Sequence, residues 1–176
     1  QFEESGEFTF EFAFEESYGY LSGTDVRDKD GVNACMLIAE AACFYKRQGM
    51  TLLDAIEALY RQYGYFGERT VSVVFDGKDG LDRMRELMDG LRKRPPEAIG
   101  PAKVARVRDY MFHEPKSDVL YFELDSGWAC VRPSGTEPKI KVYAGAVSSS
   151  HEETGKLLDQ YIRALRGNLG MEDTSA

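Results

Sequence analysis

Val119-Leu120-Tyr121-Phe122-Glu123-Leu124-Asp125-Ser126-Gly127-Trp128-Ala129-Cys130-Val131-Arg132 reads as two strands with a hairpin connection of three residues, Asp125-Ser126-Gly127. A link that short joins antiparallel neighbours. Working outward, Lys103 to Met111 and Lys139 to Val147 read as flanking strands, and Arg69 to Phe75 as one more. Between them Leu81, Met84, Leu87, Met88 and Leu91 fall at helical spacing behind Asp79, a candidate N-cap, and Pro95-Pro96 stops the helix. A last amphipathic helix uses Leu157, Leu158, Tyr161, Ile162 and Leu165. It is capped by Ser149 with Glu152 or Ser150 with Glu153 and ended by Gly167, with a frayed tail behind it. The order β-α-β-β-β-β-α predicts an antiparallel sheet with helices on one face, an α+β domain.

The N-terminal third reads differently. Phe8, Phe10, Phe12 and Phe14 alternate with Thr9, Glu11 and Ala13, a period of two that predicts a strand over Glu7 to Glu15. A polar loop, Glu16 to Asp30, follows it. Gly31 to Gln48 is apolar almost all round (Val32, Cys35, Met36, Ile38, Ala39, Ala42, Cys43), which predicts a largely buried helix ended by Gly49. Thr51 with Asp54 resembles a capping box opening a second helix closed by Gly64. One strand cannot build a sheet, so the expectation is half of an α/β domain whose sheet partners lie elsewhere. The predicted division is 1–66, 67–168 and a tail 169–176.

The 176 residues carry a formal charge of −8, which disfavours general nucleic-acid binding. Residues 92–143, however, hold ten Lys or Arg against seven Asp or Glu. A locally basic segment in an acidic chain suits a small anion better than a polymer. No apolar run approaches the roughly 18 residues of a membrane span. The start, Gln1-Phe2-Glu3-Glu4-Ser5, has no basic n-region or apolar h-region and no initiating Met. The expectation is a cytoplasmic chain, free of membrane, cut from something longer. Cys35, Cys43 and Cys130 lack metal-ligand spacing and read as buried free thiols. Trp128 reads as core, and His113 and His151 have no nucleophile or ligand set beside them.

Three stretches carry chemistry. In Arg132-Pro133-Ser134-Gly135-Thr136-Glu137-Pro138, Arg132 offers a planar fork for two phosphate oxygens and Ser134 and Thr136 offer hydroxyls. Gly135 lets backbone N–H groups come close, and Lys141, on one face of the next strand with Lys139, can add a second cation. The same composition also suits a plain turn between strands. Glu15 and Ser17 can accept and donate hydrogen bonds to adjacent sugar hydroxyls, or simply face water. Lys29 precedes the apolar helix, where a phosphate would meet a cation and the helix dipole together; alternatively Asp28 or Asp30 caps the helix and Lys29 is solvated.

Two of these segments in this order resemble the α-D-phosphohexomutase superfamily. Phe12-Ala13-Phe14-Glu15-Glu16-Ser17-Tyr18-Gly19-Tyr20 is similar to the sugar-recognition loop of its third domain. Arg132-Pro133-Ser134-Gly135-Thr136-Glu137-Pro138 is similar to the phosphate-binding loop of its fourth. Ser22-Gly23-Thr24 and Arg27-Asp28-Lys29-Asp30-Gly31 look like its phosphoglucomutase branch, whereas Ala13 stands where many members have Gly. The resemblance implies the end of domain three followed by a domain four with a TATA-binding-protein-like sheet. It implies sugar-hydroxyl reading by Glu15 and Ser17, a sugar phosphate near Lys29, and an idle phosphate held by Arg132, Ser134, Gly135, Thr136 and Lys141. The reaction it implies interconverts glucose 1- and 6-phosphates through a phosphoserine, glucose 1,6-bisphosphate and Mg²⁺. The Ser-His-Asn-Pro and Asp-Gly-Asp loops for those steps are not found here, so they are expected on N-terminal domains of the same polypeptide, and this chain alone is expected to be inactive. Domain four is then expected to act as a lid. The competing expectation is a free-standing sugar-phosphate-binding module.

Overall fold

The computed structural model describes residues 5–15, 19–75, 77–135 and 137–170, and the chain divides between Leu59 and Tyr60 into two units of different construction. In the first, β1 (Phe12–Glu15) pairs antiparallel with β2 (Gly19–Ser22), a two-stranded hairpin. The second strand corrects the reading of Glu16 to Asp30 as wholly loop: Gly19 to Ser22 alternates too briefly for period two to stand out. Strand β1 is also shorter than the Phe pattern suggests; Phe8 and Phe10 precede it and are exposed.

Helix α1 (Gly31–Arg47) begins at Asp30, whose carboxylate accepts from the Val32 and Asn33 N–H groups. Two further bonds tie this end to β2: Asp30 N–H to Tyr20 O at 2.7 Å and Asn33 Nδ2 to Ser22 O at 3.1 Å. The helix has no buried residue; Val32, Met36, Ile38 and Phe44 are exposed. Its predicted burial is therefore corrected, and with it that of Cys35 and Cys43, which are exposed as well. Gly49 takes φ +76° behind α1. Helix α2 (Leu52–Tyr63) opens with the reciprocal pair of bonds between Thr51 and Asp54.

The second unit is a six-stranded antiparallel sheet in the order β3-β8-β7-β6-β5-β4. Its strands are β3 (Tyr65–Val74), β4 (Ala98–Ile99), β5 (Ala102–Asp109), β6 (Leu120–Leu124), β7 (Gly127–Pro133) and β8 (Lys139–Ser148). The two-residue β4 escapes a pattern reading. Helices α3 (Gly80–Lys93) and α4 (His151–Asn168) supply Met84, Met88, Leu91, Leu158, Tyr161 and Leu165 to one core with Phe122, Val131, Ile140, Val142 and Ala144. Asp79 sits at the N-cap of α3 without a side-chain capping bond, a correction to its expected role. Ser150 caps α4 through Glu153 N–H. That helix runs through Gly167, and Leu169 beyond it is buried, so 169 belongs to the core and not to a tail.

Opposite the core, the sheet's other face carries Tyr121, Trp128, Cys130, Arg132, Lys141 and Tyr143. Trp128 is thus not in the core: it stacks on Tyr121 at 5.8 Å, over the bare backbone of Gly145. Burial pushes the Cys130 thiol up to about 11.

Arg92, 18% exposed, reaches from α3 to Asp109 (17% exposed) at 3.1 Å, to Asp118 and to Asp89. Replacing it leaves the largely buried Asp109 carboxylate with the Met111 N–H bond but without its cationic partner. Arg92→Leu should cost about 2 kcal/mol, read as a lower urea midpoint with an unchanged slope. At pH 8 a thiol reagent should modify Cys35 and Cys43 quickly and Cys130 slowly, because only on the order of one Cys130 in a thousand is thiolate.

Candidate functional site

The expected phosphate residues gather at one end of the β7–β8 hairpin. Arg132 and Lys141 are direct cross-strand partners on the face away from the core, with Ser72 of β3 on the other side of Lys141. The register follows from burial: Val131, Ile140 and Val142 fill the core, so their neighbours must face out. No local sequence signal marks Ser72; only strand pairing places it in this row.

The loop between the strands is tied at three points. Ser134 N–H donates to Lys139 O at 2.8 Å, closing the hairpin, and Phe75 N–H donates to Pro138 O at 2.8 Å. Within the loop, Glu137 N–H donates to Ser134 Oγ at 3.3 Å. The Ser134 oxygen is thereby engaged as an acceptor. Gly135 has no positive φ, and a β-carbon there would meet nothing within 4 Å. The fold by itself does not require glycine at 135. Lys139 is ion-paired to Glu137, whose carboxyl is held below its ordinary range first by that hydrogen bond and then by the Lys139 and Lys141 charges. Thr136 lies outside the described residues.

In the first unit Glu15 ends β1, and its partner in the ladder is Gly19. Lys29 Nζ lies 3.1 Å from Asp28 Oδ1 and 3.9 Å from Glu15 Oε1. The lysine pKa is raised, chiefly by the Asp28 hydrogen bond and charge and then by Glu15, so it remains an ammonium at neutral pH. Asp28 is correspondingly lowered, first by the Lys29 backbone N–H. Glu15, Lys29, Asp28 and Gly19 share one shallow groove of about 180 Å³. A larger hollow nearby, about 490 Å³ between β2 and α1, is lined by Phe12, Tyr20, Ala34, Leu37 and Ile38 and has the wrong chemistry for a sugar phosphate. Ser17 lies outside the described residues. Asp28 and Gly19 are contributors to which the sequence alone assigns no ligand role, although Gly19 stands within the quoted motif.

Among the described residues no group of three or more His, Cys, Asp or Glu is placed to hold a metal ion, and no helix is long and apolar enough to cross a membrane.

Residues 2–63 match the description "Phosphoglucomutase/phosphomannomutase, alpha/beta/alpha domain III", and residues 73–163 match "Phosphoglucomutase/phosphomannomutase, C-terminal domain". A phosphoglucomutase of Staphylococcus haemolyticus (strain JCSC1435) is 34% identical over 168 residues, covering 88% of this chain and 31% of the relative. One from Staphylococcus aureus (strain bovine RF122 / ET3-1) is 36% identical over 165 residues, with 86% and 30% covered. The chain thus spans under a third of the length of these relatives. Among solved structures, the open form of the Paramecium exocytosis-sensitive phosphoprotein pp63/parafusin shares the fold with a TM-score of 0.67 at 18% identity, over 96% of this chain and 31% of that one. With both domain descriptions matched in order, and the second alone spanning more than half of the residues, the chain belongs to the phosphoglucomutase/phosphomannomutase family.

Proposed function

We propose that this chain is the substrate-reading part of a phosphohexomutase that interconverts glucose 1-phosphate and glucose 6-phosphate through a phosphoserine and a glucose 1,6-bisphosphate intermediate. The observation that carries the reading is the pairing of Arg132 with Lys141 beside a loop held in shape by Ser134. In the proposal the Arg132 fork takes two oxygens of the phosphate that is not reacting, and Lys141 balances the remaining charge. The Ser134 O–H donates a hydrogen bond, and Thr136 adds a second hydroxyl. The open space over Gly135 lets the anion approach the backbone.

On the first unit Glu15 accepts hydrogen bonds from sugar hydroxyls, joined by Ser17, and Lys29 attracts the sugar phosphate. A bisphosphate must present each of its phosphates in turn, so a fixed pocket for the idle one converts remote binding energy into orientation of the reacting one. The phosphorylated serine and the Mg²⁺ ligands are assigned to polypeptide outside these residues, in a cytoplasmic enzyme, and the 176-residue chain alone is assigned no turnover. The self-contained core of residues 60–176 supports a second reading, a sugar-phosphate-binding module without catalysis. Mutase turnover by the full-length polypeptide decides against the module.

In that full-length polypeptide, Arg132→Ala should raise the KM for glucose 1-phosphate about 10- to 100-fold, the loss of one or two charge-assisted hydrogen bonds. An unchanged KM would refute the phosphate assignment. Gly135→Ala should melt at the same temperature as the parent protein and still bind more weakly, because its extra methyl clashes only with the ligand.

A further inference from the structure

Gly19 is buried although it lies in a hairpin whose described neighbours are exposed or half-exposed, and the Lys29 side chain lies directly against it. A β-carbon at position 19 would lie 2.9 Å from Lys29 Cγ, closer still to Lys29 Cδ, and 3.3 Å from Glu15 Oε2. The first two are mid-chain atoms of the lysine, so the whole stem would have to move. The glycine is not there for its backbone freedom, because Gly19 has no positive φ, unlike Gly23 four residues on. It is there for space.

The surroundings leave Lys29 little choice of path. Its backbone is fixed on one side by the Asp30 N–H bond to Tyr20 O and by Asp30 capping α1. The ammonium is paired at the other end with Asp28 at 3.1 Å and, more loosely, with Glu15 at 3.9 Å. The stem between these points crosses β2 at the residue opposite Glu15 in the ladder. We infer that Gly19 is a positioning residue: the bare backbone at 19 is the track along which Lys29 reaches the Glu15 carboxylate and presents its ammonium to an incoming sugar phosphate. This rests on the assignment of Lys29 and Glu15 to substrate in the proposed function.

The test is a double-mutant cycle on the full-length polypeptide, with KM and kcat for glucose 1-phosphate and melting temperature measured for Gly19→Ala, Lys29→Ala and the pair. Lys29→Ala should raise KM about tenfold, Gly19→Ala should raise it by a similar factor, and the double variant should be no worse than Lys29→Ala alone. A purely structural glycine would instead add its own penalty in full on top of Lys29→Ala, which would overturn the inference, as would a Gly19→Ala protein with unchanged KM. If Gly19→Ala does not fold, Lys29→Ala in the same chain should restore folding, and failure to do so is equally decisive against it. An unchanged KM for Lys29→Ala itself would remove the substrate role of Lys29 and the inference with it, while the Arg132 result would still decide the phosphate loop separately.

Discussion

The ten-residue strand β8 is hydrogen-bonded on both sides, to β3 along its whole length and to β7 along most of it, and its alternation governs everything else in the second unit. Ile140, Val142 and Ala144 are completely buried beneath α3 and α4, and Lys139, Lys141 and Tyr143 alternate with them. A slip of one residue would drive two ammonium groups into the core and turn two β-branched side chains to water. Burial of the apolar set is therefore what holds Lys141 opposite Arg132. The row of Arg132 and Lys141 needs no stabilising interaction of its own; it is the reverse side of a packed core.

The first unit obeys a different constraint. The helix α1 shows Val32 at 84% and Met36 at 63% exposure, a surface that an isolated soluble helix of this composition does not keep uncovered at no cost. Its hairpin of four-residue strands is also smaller than an independently stable sheet. What does organise it is local and polar: the Asp30 cap and the bonds of Asp30 N–H and Asn33 to β2 carbonyls. Those contacts lie beside the Glu15–Lys29 pair, so its geometry depends on a cap and a few backbone bonds more than on apolar packing.

The difference explains what is legible in the sequence. In the second unit, hydrophobic period and turn residues mark the main strands, both helices and the loop that bears Arg132 and Ser134, because each long element has one buried face to betray it. The exceptions are short or irregular. Ala98–Ile99 is below the length at which alternation means anything, and Gly167 keeps helical backbone while the positive-φ glycine that follows α4 is Gly170. In the first unit, apolar content in α1 does not translate into burial, and β2 has no pattern of its own because its pairing is defined by backbone bonds to β1. Likewise Ser72, Asp28 and the packing of Lys29 against Gly19 arise from strand register and side-chain path, neither of which has a local sequence signal.

Both candidate clusters also share an electrostatic logic. Lys29 stands against Asp28 and Glu15, and Lys139 against Glu137, so neither ammonium waits as an isolated charge. In the proposed reading, binding a phosphate beside Lys29 is an exchange of carboxylate for phosphate oxygens more than an addition of charge. The net gain then depends on how much better the newcomer is than the resident carboxylate, and a doubly charged anion has the advantage over a singly charged one. These pairs are exposed or partly exposed, so the exchange is inexpensive and reversible. In the proposed reading the Arg132 guanidinium forks onto two oxygens at once and supplies directionality where the lysines supply charge.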